Sequence, residues 1–172
     1  MIWLTGLSSA GKSTIGKELL RRLQTSGHQA ELLDGEMLRQ GLCKDLSFSE
    51  VDRNENVRRI GFVAELLVKH GIIAIVAVIS PYRAARDEIR HLIEPFIEVY
   101  VNASIEICET RDVKGLYRQA RLGQLRGFTG IDDPYEPPLA PDVECRTDSE
   151  SIEECVQKIL DKLGLYSQND DG

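Results

Sequence analysis

The sequence predicts an α/β fold in three layers, a parallel five-stranded sheet with helices on both faces. Short apolar runs alternate along the chain with amphipathic stretches of helical period. One run, Ile72 to Ile79, is apolar at every position, as a strand buried on both faces must be. A glycine-rich loop joins the first apolar run to the first helical stretch. Strands separated by helices need crossover connections, and crossovers make a sheet parallel.

Taken in order, Ile2 to Thr5 is the first strand and Ala30 to Asp34 the second. Ser49, with Asp52 three residues later, marks a helix N-terminus, and the helix runs to about His70, where Gly71 stops it. Ile72 to Ile79 is the third strand and is placed at the middle of the sheet. Phe96 to Val101 is the fourth, and Val143 to Cys145 a weaker fifth. A closing helix spans Ser149 to Leu163, with apolar residues at Ile152, Val156, Ile159 and Leu163. Between Arg111 and Pro141 the pattern loosens into cations, four glycines and Asp132-Asp133-Pro134, which reads as a mobile lid. Ser167 to Gly172 is expected to be a disordered tail.

A chain of 172 residues fits one domain, taken as 1–172. Its 42% apolar and 28% charged residues place it among ordinary globular proteins. Met1 to Leu4 runs straight into the glycine loop without a basic region or a long apolar stretch, so neither a signal peptide nor a membrane partner is expected, and a cytoplasmic location is. Cys43, Cys108, Cys145 and Cys155 show no Cys-x-x-Cys pairing and read as free buried thiols. A net charge of −7 argues against a nucleic-acid partner, because duplex binding needs many uncompensated cations. A small anionic ligand needs only local positive charge and stays open.

Gly6-Leu7-Ser8-Ser9-Ala10-Gly11-Lys12-Ser13 fits the phosphate-binding pattern G-x-x-x-x-G-K-[ST], between a predicted strand and a predicted helix. Its glycines let backbone N–H groups turn onto a phosphate, and the helix N-terminus adds positive charge. Lys12 would reach the β- and γ-phosphates of ATP and Ser13 would offer its hydroxyl to Mg²⁺, with Thr14 beside it. The third strand ends in Ser80-Pro81 rather than in the acid of hydrolysing ATPases, and no Asn-Lys-x-Asp guanine-reading tetrapeptide occurs. These absences leave a small-molecule phosphotransferase. Asp34 ends the second strand at the carboxyl edge, where ligands of open parallel sheets collect. It is the candidate base for an attacking hydroxyl, and either Asp34 or Glu36 could hold a water on Mg²⁺.

On the helix after Ser49, Val57, Ile60, Ala64 and Leu67 form the buried stripe. Arg53 and Asn56 fall at its N-terminal end and point inward, whereas Arg58 and Arg59 face away. An inward arginine near the carboxyl edge calls for an anionic ligand or a buried carboxylate. Arg39 could join it or lie on the surface. ATP brings about −4, which Mg²⁺, Lys12 and one lid arginine would offset with about +4. Further inward cations therefore imply an acceptor that is itself anionic. Phe48 and Phe128 sit among polar residues, as stacking faces for a base or as hydrophobic plugs.

The segments GLSSAGKST, LLDGEMLRQGLCKDLSFSEVDRNENVRRIG, AVISPYRAARDEIR, FIEVYVN, CETRDVKGLYRQAR and GFTGIDDPYEPP strongly resemble adenylylsulfate kinase. The resemblance runs in order through most of the chain. It implies a P-loop kinase fold and transfer of the ATP γ-phosphate, with Mg²⁺, to the 3′-hydroxyl of adenosine 5′-phosphosulfate (APS), giving PAPS and ADP in sulfate activation. It implies Asp34 as the base near that hydroxyl, with Arg39, Arg53 and Asn56 toward the phosphosulfate and Phe48 and Phe128 toward its adenine. Ile79 and Ser80 would contact APS, Lys114 the acceptor or the phosphates, and Arg111 the ATP side. Ser80 also matches a serine proposed in the family as a phosphorylated intermediate, although Lys12, Mg²⁺ and positioning suffice for direct in-line transfer. A homodimer is implied as well. The chain departs from the family at Ser9 for Gly, Glu36 for Asp and Met37 for Asn. Another small-molecule P-loop kinase or a non-catalytic ATP-binding domain is the alternative, and intact Lys12, Ser13 and Asp34 argue against the second.

Overall fold

The structure, a computed structural model, describes residues 1–164. Five strands, β1 (Ile2–Thr5), β2 (Ala30–Asp34), β3 (Ile73–Ala77), β4 (Ile97–Asn102) and β5 (Val143–Arg146), form one sheet in the order β2-β3-β1-β4-β5. Every neighbouring pair is parallel. Seven helices connect or cover them: α1 (Lys12–Thr25), α2 (Gly35–Gln40), α3 (Glu50–Lys69), α4 (Arg83–Leu92), α5 (Ile105–Arg111), α6 (Leu116–Arg121) and α7 (Ile152–Lys162).

The period-2 alternation of a strand divides the core in two. Ile2 and Leu4 of β1, with Ile75 and Ala77 of β3, pack on one face against Ile15 and Leu19 of α1 and Val156 and Ile159 of α7. Trp3, Ala74 and Val76 face the other way, against Val57, Ile60 and Ala64 of α3 and Ile89 of α4. With helices on both faces, the sheet's carboxyl edge is where an open parallel sheet collects its ligands.

The predicted architecture and parallel sheet are present, with local corrections. The middle strand is β1, not β3, because an unbroken apolar run reports burial on both faces, which every interior strand shares. β3 stops at Ala77, two residues short of the apolar run's end, and the chain then bends to Ser80, whose φ is 41°. Val78 is still buried, so hydrophobicity continues past the hydrogen-bonded ladder. The fourth and fifth strands each extend one residue beyond the predicted end.

Ser49 accepts from the Asp52 N–H as the cap of α3, which ends before Gly71 at φ 76°. The closing helix starts at Ile152, where Ser151 and Glu154 form a capping box. The short helices α2, α5 and α6 span at most seven residues, too few to display a period. The segment read as a lid contains α6 and the Thr129–Asp133 bridge. The predicted tail lies outside the described residues. All four cysteines are free and buried. Among the described residues no helix is long and apolar enough to cross a membrane.

Candidate active site

The loop between β1 and α1 turns on residues that tolerate positive φ. A Cβ on Gly6 would lie 2.3 Å from the Val101 carbonyl oxygen, so only glycine lets the loop leave β1 here. Ser9 takes φ 60°, which an L-residue adopts rarely and glycine freely. That strain explains what the Ser9 departure costs locally. The loop ends at the N-terminus of the 14-residue α1, whose partial positive charge favours a phosphate.

Lys12 is buried, and its ammonium donates to the Gly6 carbonyl at 2.9 Å and the Leu7 carbonyl at 2.6 Å. Burial pulls its pKa down to about 8, against weaker upward effects from Cys108 and Asp34. A bound phosphate would favour the charged ammonium. The Ser13 hydroxyl donates to Asp34 Oδ2 at 2.6 Å, while Asp34 Oδ1 accepts from the Glu36 N–H at 2.9 Å. Asp34 thus caps α2 and presents its outer oxygen beside the phosphate loop. Glu36 forms an ion pair with Lys114 across the mouth of the cleft.

On the other side, the Phe48 ring is 60% exposed, with the Arg39 guanidinium 4.6 Å and the Arg53 guanidinium 5.6 Å from its centre. Arg39 is held by the Leu46 and Ser47 carbonyls at 3.0 and 2.9 Å. Arg53 is only 7% exposed and donates to the Phe48 carbonyl, Thr129 Oγ1 and the Gly127 carbonyl, with Asp133 at 3.4 Å. Asp133, partly exposed, supplies a carboxylate to this inward arginine. Asn56 is also buried and lines the same cavity, and its Oδ1 has no hydrogen-bond partner.

These groups line one cavity of about 850 Å³. Ser8, Ser9, Gly11, Lys12, Ser13, Thr14 and Arg111 line it with Asp34, and so do Arg39, Phe48, Arg53, Asn56, Ile79, Ser80 and Lys114. Its charged lining is Lys12, Arg39, Arg53, Arg111 and Lys114 against Asp34, Glu36 and Glu150. Local positive charge thus exists inside an acidic protein. Gly6, Leu7 and Ala10 shape the loop from behind without lining the cavity. Phe128 does not line it either. Its ring packs edge-on against Tyr117 at 4.9 Å and is buried in the core, the surroundings of a hydrophobic plug.

Ser80 is 3% exposed, and its hydroxyl accepts from Trp3 Nε1 and donates to Thr5 Oγ1, both at 3.0 Å. Its one proton is already engaged. Arg111 donates to Thr147 Oγ1 at 3.1 Å, and that hydroxyl donates to the Ala10 carbonyl at 2.7 Å. Thr147, Glu150 and Ile152 also line the cavity, although the sequence offered none of them as a site residue and read Ile152 only as an apolar position of the closing helix. Their signal was position alone, since Thr147 follows β5 at the carboxyl edge. Among the described residues no group of three His, Cys, Asp or Glu is placed to hold a metal ion. The Ser13 and Asp34 oxygens suit a hard cation that also has phosphate ligands.

The family model for adenylylsulphate kinase matches residues 1–146. The chain is 58% identical over 162 residues to the adenylyl-sulfate kinase of Gloeothece citriformis, covering 94% of this chain and 92% of that protein. The corresponding protein of Microcystis aeruginosa is 57% identical, with 94% and 90% covered. Among solved structures, the Mycobacterium tuberculosis APS kinase CysC in complex with AMPPNP and APS superposes with a TM-score of 0.91 at 42% identity. The alignment covers 95% of this chain and 96% of that one.

Proposed function

The chain belongs to the adenylylsulphate kinase family, and from that premise we propose how its cavity divides between two substrates. The protein is an ATP-dependent kinase that transfers the γ-phosphate to the 3′-hydroxyl of APS, giving PAPS and ADP in sulfate activation. One observation carries the division: the phosphate loop with buried Lys12 and the Arg39–Phe48–Arg53 cluster line the same 850 Å³ cavity, together with Asp34.

ATP takes the side of the phosphate loop. Successive N–H groups, the α1 N-terminus and the Lys12 ammonium offset the triphosphate charge, and Arg111 and Thr147 flank the nucleotide. APS takes the other side, its adenine against the exposed Phe48 ring and its phosphosulfate toward Arg39, Arg53 and the open Asn56 acceptor. An amide side chain offers N–H donors to an anion, and Oδ1 can accept from a ribose hydroxyl. Lys114 can leave Glu36 for a phosphate, since both side chains are more than half exposed. Residues 111–141, which carry Arg111 and Lys114, are the proposed lid; Gly115, Gly123, Gly127 and Gly130 all take positive φ there.

Asp34 accepts the 3′-hydroxyl proton as the oxygen attacks the γ-phosphorus, and Lys12 stabilises the charge that moves onto the departing β-phosphate. Mg²⁺ neutralises phosphate charge when it arrives with ATP; Ser13, directly or through a water, and Asp34 are the residues that would hold it. Because the Ser80 hydroxyl is spent on Thr5 and Trp3, the transfer is direct. A homodimer, which the family resemblance implies, and a cytoplasmic location, expected from the N-terminal sequence, complete the reading. Product identification tests the acceptor: ³¹P NMR of a reaction with ATP and APS is expected to show a new phosphate ester on the 3′-oxygen. A product phosphorylated elsewhere, or none, would overturn it.

A further inference from the structure

Arg86 on α4 is 1% exposed and has no part in the transfer described above. Its guanidinium is shared three ways. Nε donates to Glu98 Oε1 at 2.8 Å, Nη1 to the Ser80 carbonyl at 2.6 Å and Nη2 to the Glu136 carbonyl at 2.7 Å. Charge neutralisation in the core explains the first contact only, and a lysine would serve it. Meeting a carboxylate and two carbonyls on different segments from three separate nitrogens uses the extended planar fork of arginine, which the single nitrogen of a lysine does not reproduce.

The Ser80 carbonyl belongs to a residue that lines the cavity, and the Glu136 carbonyl to a stretch that lies behind it and holds Arg53. Ser80 sits at φ 41°, a conformation that persists in a non-glycine residue only when its surroundings fix it. It lines the cavity with Ile79. Glu136 ends a stretch whose other members hold Arg53: the Gly127 carbonyl and Thr129 Oγ1 accept from it, and Asp133 is its carboxylate. The same stretch meets the strand end again where the Glu136 N–H donates to the Pro81 carbonyl at 2.8 Å. Tyr135 and Thr5 add a third join, their hydroxyls 3.0 Å apart, and Thr5 in turn donates to the Ile79 carbonyl at 2.7 Å.

The geometry points to Arg86 as a positioning residue for the acceptor. It fixes the spacing between the Ile79–Ser80 wall and the stretch that aims Arg53, without touching substrate. On the ATP side, Lys12, Ser13 and Arg111 make their hydrogen bonds outside this network. This inference rests on the reading that APS lies between Phe48, Arg53 and Ser80.

The test is steady-state kinetics of the full chain with each substrate varied in turn. Arg86→Lys keeps a cation for Glu98 but has one nitrogen where Arg86 uses three, so it cannot keep all three contacts. It is expected to raise the KM for APS about tenfold or more while the KM for ATP stays within about twofold. Glu98→Gln, which leaves the fork and its carbonyl bonds in place, is expected to keep the APS KM within about threefold of the wild type. A purely structural role would lower the fraction of active molecules and leave both KM values unchanged. An unchanged APS KM in Arg86→Lys, or an equal rise in both KM values, would overturn the inference. Should that variant not fold, Arg86→Met combined with Glu98→Gln removes both buried charges and is judged by the same criteria. If neither folds, Arg86 is a core residue and the assignment falls. Failure of the activity reading is seen separately, as a wild-type protein without APS-dependent ADP release.

Discussion

The Ser13 hydroxyl donates to Asp34 Oδ2 at 2.6 Å, joining the last residue of the phosphate loop to the last residue of β2. In the proposed arrangement this bond would hold the carboxylate near the transferred phosphate by way of the residue that would serve the cation. Asp34→Asn keeps the shape and removes the base. Turnover should fall about 10²- to 10⁴-fold, with ATP affinity by calorimetry little changed. Near-normal turnover would remove Asp34 as the base.

Lys12 gives a pH signature. Burial lowers its pKa to about 8 from an ordinary 10.5, so the folded, ligand-free chain releases this proton before the unfolded chain does. Between about pH 8 and 10.5 the unfolded state binds the extra proton, and this group makes stability rise with pH across that window. Triphosphate favours the charged ammonium, so above pH 8 ATP binding takes up a proton and affinity falls as pH rises. Calorimetry at pH above 8 in two buffers of different ionisation heat should show the uptake in wild type and not in Lys12→Arg. Equal heats in both buffers would contradict it.

The two phenylalanines should separate. Phe48→Ala removes an exposed ring and should raise the APS KM about 5- to 100-fold, the worth of one base stack, with the melting temperature nearly unchanged. Phe128→Ala opens the core beside Tyr117 and should cost about 3–5 kcal/mol of stability. The reverse pattern in kinetics and melting would reassign them.

Ser80→Ala discriminates direct from covalent transfer. It leaves the Trp3 N–H without its acceptor, which should cost about 1–3 kcal/mol, while turnover stays within about tenfold of wild type. A loss of several orders of magnitude in a folded variant would restore Ser80 as a phosphorylated intermediate.

Gly6→Ala places a methyl 2.3 Å from the Val101 carbonyl oxygen at φ 153°. The overpacking should cost about 1–3 kcal/mol, a drop of several degrees in melting temperature, together with weakened ATP binding. An unchanged melting curve would show that β1 and β4 can separate there.

Much of this was legible because each signal was local. The phosphate loop announces itself by spacing, Asp34 by ending an apolar run, and Arg53 by its place on a helix stripe. What stayed hidden depends on distant partners. Nothing near Phe128 in sequence reveals Tyr117, and nothing near Asp133 reveals Arg53, a contact spanning the chain from α3 to the stretch before β5. Thr147 and Arg86 are likewise ordinary residues until the fold brings the phosphate loop and the Ser80 turn against them. The middle of the sheet was misplaced because burial reads the same in β1 and β3.

ADP release from ATP by the purified protein, measured with and without APS, tests the central claim most directly. The cavity with its phosphate loop, Asp34 and Phe48 flanked by Arg39 and Arg53 predicts release that depends on APS and saturates with it. Nucleoside monophosphates should give almost none. Release that ignores APS, or that a nucleoside monophosphate supports equally well, would contradict the account.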